Sequence, residues 1–332
     1  MRQERVGFYS AGERVAGILR LPDDPARAPY PAIVQGPGWL QLKESRRNLP
    51  YHEAFTDAGF AVLVIDFRGF GESEGDPADL LPARWLEDLT AAVTYLTTRE
   101  EVDRHAIGTF GSGSTGGGNA VLLAAADRRV RCAVSQVPIA DGADWLRRMR
   151  REHEWYELLA RVEADRRTRV LRGEGELVHP RGDIMVTTPE RAARERASRF
   201  GAESGHVRPV RLAAVEALMA YRPIDVADRT GPLLVVAVAD DPVTPTDHAT
   251  ALYERARQPK QLIVQHQTTH YAAYERYAGV VIPEMVAWFR RHLRHAPVEV
   301  RASTHDGDTL RGLGEAPPPT RPTPEEASDG SG

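Results

Sequence analysis

The sequence predicts an α/β fold: a mostly parallel sheet flanked by helices, with a helical cap inserted late in the chain. Three observations carry this. Strand-like and helix-like segments alternate from about Pro31 to Leu293. Several of the strand-like runs are continuously apolar, as in strands buried on both faces. The alternation then breaks between Asp141 and Asp225, a stretch with helix-like segments and no buried strand.

The elements follow in chain order. "VGFYSAGERVAGILRLP" reads as an antiparallel hairpin at the sheet edge. "YPAIVQG" is a strand followed by the loop "PGWLQLKESRRN", and "LPYHEAFTDAG" is a helix closing on Gly59. "FAVLVIDF" is a doubly buried strand. "ARWLEDLTAAVTYLTTR" spaces Trp85, Leu89, Ala92, Val93 and Leu96 as one helix face. "HAIGTFG", "RVRCAVSQV", "GPLLVVAVAD" and "KQLIVQH" are further strands; "HATALYERAR" and "VIPEMVAWFRRHL" are helices. Alternation of this kind indicates a parallel sheet. The expected organisation is a core at 1–140, a helical cap at 141–225, the rest of the core at 226–295, and a disordered tail at 296–332, rich in proline and poor in groups to bury.

The totals exclude several classes. The chain has 332 residues and a net charge of -4, with 42% hydrophobic and 27% charged residues, which suits a globular domain with a large core. That charge gives no reason to expect nucleic acid. In the insert, arginines only slightly outnumber acidic residues, so it is a mixed solvated surface. The single cysteine, Cys132, leaves no intramolecular disulfide and no multi-cysteine metal site; its apolar setting suits a buried strand. No run is long enough to span a bilayer and the N-terminus lacks a signal-like apolar core, so the expected location is cytoplasmic.

The chemistry centres on "GTFGSGSTGGGN", Gly108 to Asn119, at a strand-to-helix turn. A phosphate loop would need Lys-Ser or Lys-Thr where Gly118-Asn119 stands. A nucleophile elbow needs a serine on a strained turn among small residues, ordinarily as G-x-S-x-G. Ser114 fits this best, with Ser112 in place of the first glycine. Ser112 stands as the alternative nucleophile, and a third alternative has no serine nucleophile, because Gly113 occupies the position an ordinary G-x-S assigns to serine. A base and an orienting acid should follow in the order Ser, Asp, His. Asp240 and Asp241 follow one strand, with Asp241 opening the turn "DPVTP"; His266 and His270 follow the next. Asp241 and His270 lie on loops past the strands' carboxyl ends, where this architecture gathers its sites. Backbone donors for an oxyanion are expected from Thr115, after the nucleophile, and from Gly38 or Trp39, with Trp39 favoured; Pro37 has no N–H.

These residues together make the chain resemble the α/β-hydrolase superfamily, and within it the cap-bearing bacterial esterase group related to peptidase S15 and dienelactone hydrolase, over about Val15 to His292. "IDFRGFGESEG" resembles the superfamily's D-x-R-G-x-G-x-S turn. "PGWLQLKE" resembles its oxyanion loop, with Pro37 replacing histidine. "DPVTP" and "THYAAYE" resemble its acid and histidine loops. The resemblance implies Asp241 and His270 as triad members and Trp39 as oxyanion donor. The elbow departs from the family pattern, matching only with one residue inserted ahead of Ser114.

The expected function is a serine hydrolase that cleaves an ester or related acyl bond of a small molecule through Ser114, Asp241 and His270. The alternative is altered chemistry on the same fold: a lyase, decarboxylase or cyclase. No cofactor and no metal are expected. The expected partner is a small-molecule substrate, without nucleic acid or membrane; a homodimer is left open. Trp145, Met149, Trp155 and Tyr156 in the insert are expected to line the substrate pocket, with Arg147 or Arg150 available for an anionic group.

Overall fold

The computed structural model describes residues 1–197 and 207–293, and a separate strand pair at 299–304 and 307–312. Strands β1 (Arg2–Ser10) and β2 (Glu13–Leu21) form the expected hairpin. They are followed by β3 (Tyr30–Gly36), helix α1 (Leu49–Asp57), β4 (Ala61–Ile65), α2 (Pro82–Thr97), β5 (Val102–Ser114), α3 (Thr115–Ala126) and β6 (Val130–Pro138). The insert then contributes α4 (Gly142–Arg148), α5 (Glu152–Arg172), β7 (Leu177–Val178), α6 (Pro189–Ala197), β8 (Val210–Arg211) and α7 (Ala214–Met219). The core resumes with β9 (Leu233–Val238), α8 (Thr246–Arg255), β10 (Lys260–Gln265), α9 (Ala273–Arg276) and α10 (Ala278–Leu293).

Eight strands form one sheet in the order β1-β2-β4-β3-β5-β6-β9-β10. Pairing is parallel from β4 through β10, while β2 runs antiparallel to both β1 and β4. This is the α/β-hydrolase arrangement that the sequence suggests. Every residue of β4 and β9 is buried, because both faces are covered. Side chains alternate across a strand. Leu63 and Ile65 of β4 therefore pack with Trp85, Leu89 and Val93 of α2 on one face, while Val62 packs with Phe55 of α1 and Phe289 of α10 on the other. The continuous apolar runs of the sequence are this two-sided burial. Cys132 is wholly buried in β6, and burial pushes its thiol pKa well up.

Two turns of the sequence become one joint. Asp66, just past β4, is fully buried; it accepts Lys43 N at 2.7 Å and pairs with Lys43 Nζ at 2.6 Å. Lys43 Nζ also reaches Glu72 at 2.9 Å. The "LKE" and "IDFRGFGE" segments are thus tied together, which fixes the loop after β3.

The insert spans β6 to β9 and, among the described residues, holds four α-helices and the small β7–β8 pair. It is tied to the core by Arg211, whose N–H donates to Ala78 O at 2.9 Å and whose guanidinium pairs with Asp76 and Asp79. Beyond residue 295, where a disordered tail is expected, β11 (Glu299–Thr304) and β12 (Gly307–Gly312) pair antiparallel as part of a separate unit; 313–332 lie outside the described residues. Among the described residues no helix is long and apolar enough to cross a membrane.

Candidate active site

The elbow lies where β5 gives way to α3. Ser114 holds φ 50° and ψ -105°, a left-handed strain that a non-glycine residue adopts only where its surroundings enforce it. Gly113 before it holds φ +80°. Two successive positive-φ residues accommodate the extra residue of the sequence pattern, and they leave Ser114 at the strand-to-helix junction. The turn is tight: a Cβ at Gly111 would collide with the Gly116 carbonyl oxygen. Gly38 packs so closely on the Ser112 and Gly113 carbonyls that a Cβ there would lie 2.5 Å and 2.6 Å from them. The loop after β3 therefore rests directly on the elbow.

Asp241 and His270 meet. His270 Nδ1 lies 2.7 Å from Asp241 Oδ2, and both side chains are almost completely buried. Asp241 Oδ1 accepts the N–H groups of Val243 at 2.7 Å and Thr244 at 3.1 Å, and Oδ2 accepts the Thr244 hydroxyl at 2.8 Å. Burial alone would raise the Asp241 pKa. The neighbouring imidazole and these hydrogen bonds outweigh it and hold the carboxyl below its ordinary value. The turn "DPVTP" makes this possible by folding its own N–H groups back onto the carboxylate. Asp240 and His266, the neighbouring alternatives, are exposed.

Ser114, His270 and Trp39 line one cavity of about 560 Å³. Ser114 Oγ makes no hydrogen bond to a described residue, His270 included. Ser112 does not reach the cavity; it is fully buried and its hydroxyl donates to Tyr274 Oη at 3.3 Å. Thr115 opens α3, and its neighbours across a smaller cleft are Gly38 and Gln41 of the loop after β3.

The expected pocket residues lie elsewhere. None of Trp145, Met149, Trp155 and Tyr156 lines the cavity. Trp145 is buried behind it, donating Nε1–H to Val243 O at 2.8 Å and meeting Trp39 edge-on at 5.5 Å. Met149 and Trp155 pack on the core, and Tyr156 is 62% exposed. For Trp155 and Tyr156 the reason is that α5 is a charged surface helix that buries only Leu158, Val162 and Asp165. Arg150 is likewise structural, donating to the carbonyls of Leu146, Asp183 and Ile184, and Arg147 donates to Arg150 O.

The insert reaches the cavity through Arg181, Met185 and Arg191 instead. Glu190 of α6 accepts the Thr269 hydroxyl at 2.8 Å, which anchors α6 beside the histidine loop. Arg46 and Arg47 enter from the loop after β3, and Tyr271 from the position after His270. Sequence reasoning missed all of these; the only visible signals were the "RR" of "KESRRN" and the tyrosine of "THYAAYE". Among the described residues no group of three or more His, Cys, Asp or Glu side chains could hold a metal.

The model of the X-Pro dipeptidyl-peptidase (S15) family matches residues 12–272, from β2 through the histidine loop. The chain belongs to this S15 family. An uncharacterized 31.7 kDa protein of the traX-finO intergenic region in Escherichia coli is 29% identical over 300 residues, covering 87% of this chain and all of that protein. The thiohydrolase aneE of Aspergillus aculeatus is 38% identical over 132 residues, 39% of each protein. Among solved structures, the α/β hydrolase GrgF of Penicillium sp. superposes with a TM-score of 0.72 at 21% identity, covering 88% of this chain and 99% of that one. This S15 member is thus an α/β-hydrolase, of a family whose general activity is hydrolysis.

Proposed function

We propose that the chain hydrolyses an ester or related acyl bond of a small molecule through Ser114, His270 and Asp241. The observation that carries this reading is the buried 2.7 Å contact of His270 Nδ1 with Asp241, on a histidine that shares its cavity with the strained Ser114. In the reaction, Ser114 Oγ attacks the substrate carbonyl and His270 Nε2 takes the hydroxyl proton. Asp241 stays ionised, holds the imidazole tautomer and stabilises its cationic form. The N–H groups of Thr115 and Trp39 receive the developing oxyanion. His270 then protonates the leaving group, and a water, deprotonated by the same imidazole, releases the acyl group. A thioester fits the same steps, and the partial likeness to a thiohydrolase supports including it. The insert acts as a cap through Arg181, Met185 and Arg191.

The altered-chemistry alternative rests on Gly113. With Ser114 at the junction and Gly113 preceding it, that motive weakens, and a nucleophile remains available. The test is turnover of short-chain 4-nitrophenyl esters and acyl thioesters by the wild type, Ser114→Ala and His270→Gln. Loss of activity by several orders of magnitude in each variant is the expected result. Turnover of Ser114→Ala near the wild-type rate would refute the acyl-enzyme.

A further inference from the structure

The cavity wall is strongly biased in charge. Arg46, Arg47, Arg181 and Arg191 all line it, against one carboxylate, Glu44. Glu44 is itself engaged, pairing with Arg5 at 2.5 Å and lying more than half exposed. Among the described residues neither Arg46 nor Arg47 has an ion pair. Two of the guanidinium groups lie over Tyr271. Arg47 Cζ lies 5.4 Å from its ring centroid and Arg191 Cζ 5.8 Å, and Arg181 lines the same cavity. These arginines come from two separated parts of the chain, the loop after β3 and the insert. Tyr271 itself is buried and meets the His270 ring edge-on at 4.8 Å. The cationic cluster thus begins one aromatic ring away from the proposed base.

Like charges brought together in a partly enclosed cavity repel, since the screening of bulk water is reduced there. An anion lodged among them relieves that repulsion and gains charge-assisted hydrogen bonds, and guanidinium geometry matches a carboxylate in particular. We infer that the substrate carries a carboxylate in addition to the scissile acyl bond, held by Arg47 and Arg191 beside Tyr271 and by Arg181 on the same cavity wall. This inference rests on the hydrolytic reading for its consequence in turnover, but not for its consequence in binding.

Two measurements separate the two. In the first, kcat/KM is compared for mono(4-nitrophenyl) esters of succinic, glutaric and adipic acids against the neutral 4-nitrophenyl esters of matching chain length. A parallel pair carries the carboxylate on the leaving group instead, as 4-acyloxybenzoate against the phenyl ester. Preference for the anionic member of either pair, by about tenfold or more, is expected. That preference should fall about tenfold in Arg47→Gln and in Arg191→Gln, and be partly retained in Arg47→Lys. In the second, calorimetry compares monomethyl glutarate with dimethyl glutarate on the full chain, with circular dichroism to establish that each variant is folded. Tighter binding of the monoanion, weakened by the same arginine substitutions, supports the site whether or not esters are turned over. Equal binding of the two, or a preference for the anion that survives both Gln substitutions, overturns it. Failure of every ester to turn over would refute the hydrolytic reading and leave the binding comparison to decide the carboxylate site.

Discussion

His270 Nδ1 lies 2.7 Å from Asp241 Oδ2, on a carboxylate that also accepts two backbone N–H groups and the Thr244 hydroxyl. The carboxylate is therefore fixed before any substrate arrives, and it can hold only one face of the imidazole. Asp241→Asn should keep the fold and lower kcat by about three to four orders of magnitude, on the scale known for the orienting acid of other triads. Steady-state kinetics on any ester substrate checks this; a loss below tenfold would remove Asp241 from the mechanism.

The same carboxyl has a consequence for stability. Its pKa in the folded chain is below the ordinary value, so the unfolded chain binds the proton more readily. The stabilisation is present above the unfolded carboxylate range and is lost as pH falls through the folded value. Urea denaturation below pH 4 should accordingly show a smaller acid dependence in Asp241→Asn than in the wild type.

His52 gives a second acid dependence, at higher pH. It is buried on α1, hydrogen-bonded to Gln35 of β3, and burial reinforced by Arg20 pushes its pKa down to about 3. The unfolded chain binds this proton below about pH 6.5, while the folded chain refuses it down to about pH 3. Stability is then fully present above the unfolded value and falls as pH drops between the two. About 2 kcal/mol should be lost between pH 7.5 and pH 5. His52→Gln should remove that slope; an unchanged slope would assign it to other groups.

Lys43 and Asp66 form a buried ion pair beneath the loop that carries Trp39. Lys43→Met leaves the carboxylate without its cation, and breaking a buried pair in this way costs about 3–5 kcal/mol. Thermal unfolding measures the loss. Lys43→Met combined with Asp66→Asn should recover part of it, because no charge is then stranded.

Much of this was legible in the sequence, for identifiable reasons. The apolar runs of β4 and β9 signalled two-sided burial; Asp241 stood out on the loop after β9, and His270 on the loop after the half-buried edge strand β10. The glycine pattern favours Ser114 but leaves Ser112 open as the alternative; the fold adds that the Ser112 hydroxyl is buried against Tyr274. The cavity wall was misread because aromatic residues on a helix declare themselves, while Arg181 and Met185 sit in irregular backbone with no periodicity to reveal their direction. Arginine in a mixed-charge stretch reads as solvated surface until the chain folds it inward.

That correction is itself open to test. Tyr156→Ala, at an exposed position, should leave stability within about 0.5 kcal/mol and ester selectivity unchanged. Trp145→Ala removes a buried indole that supports Trp39 and bonds Val243, so it should cost about 3–5 kcal/mol. Denaturation curves and an ester panel on both variants check the contrast; a selectivity change in Tyr156→Ala would return α5 to the pocket.

The most direct measurement of the central claim is labelling of the intact chain with a fluorophosphonate, followed by peptide mass spectrometry of the adduct. The expected result is a single adduct on Ser114, abolished in Ser114→Ala and strongly slowed in His270→Gln. An adduct on Ser112, or no adduct on the folded chain, would contradict the account.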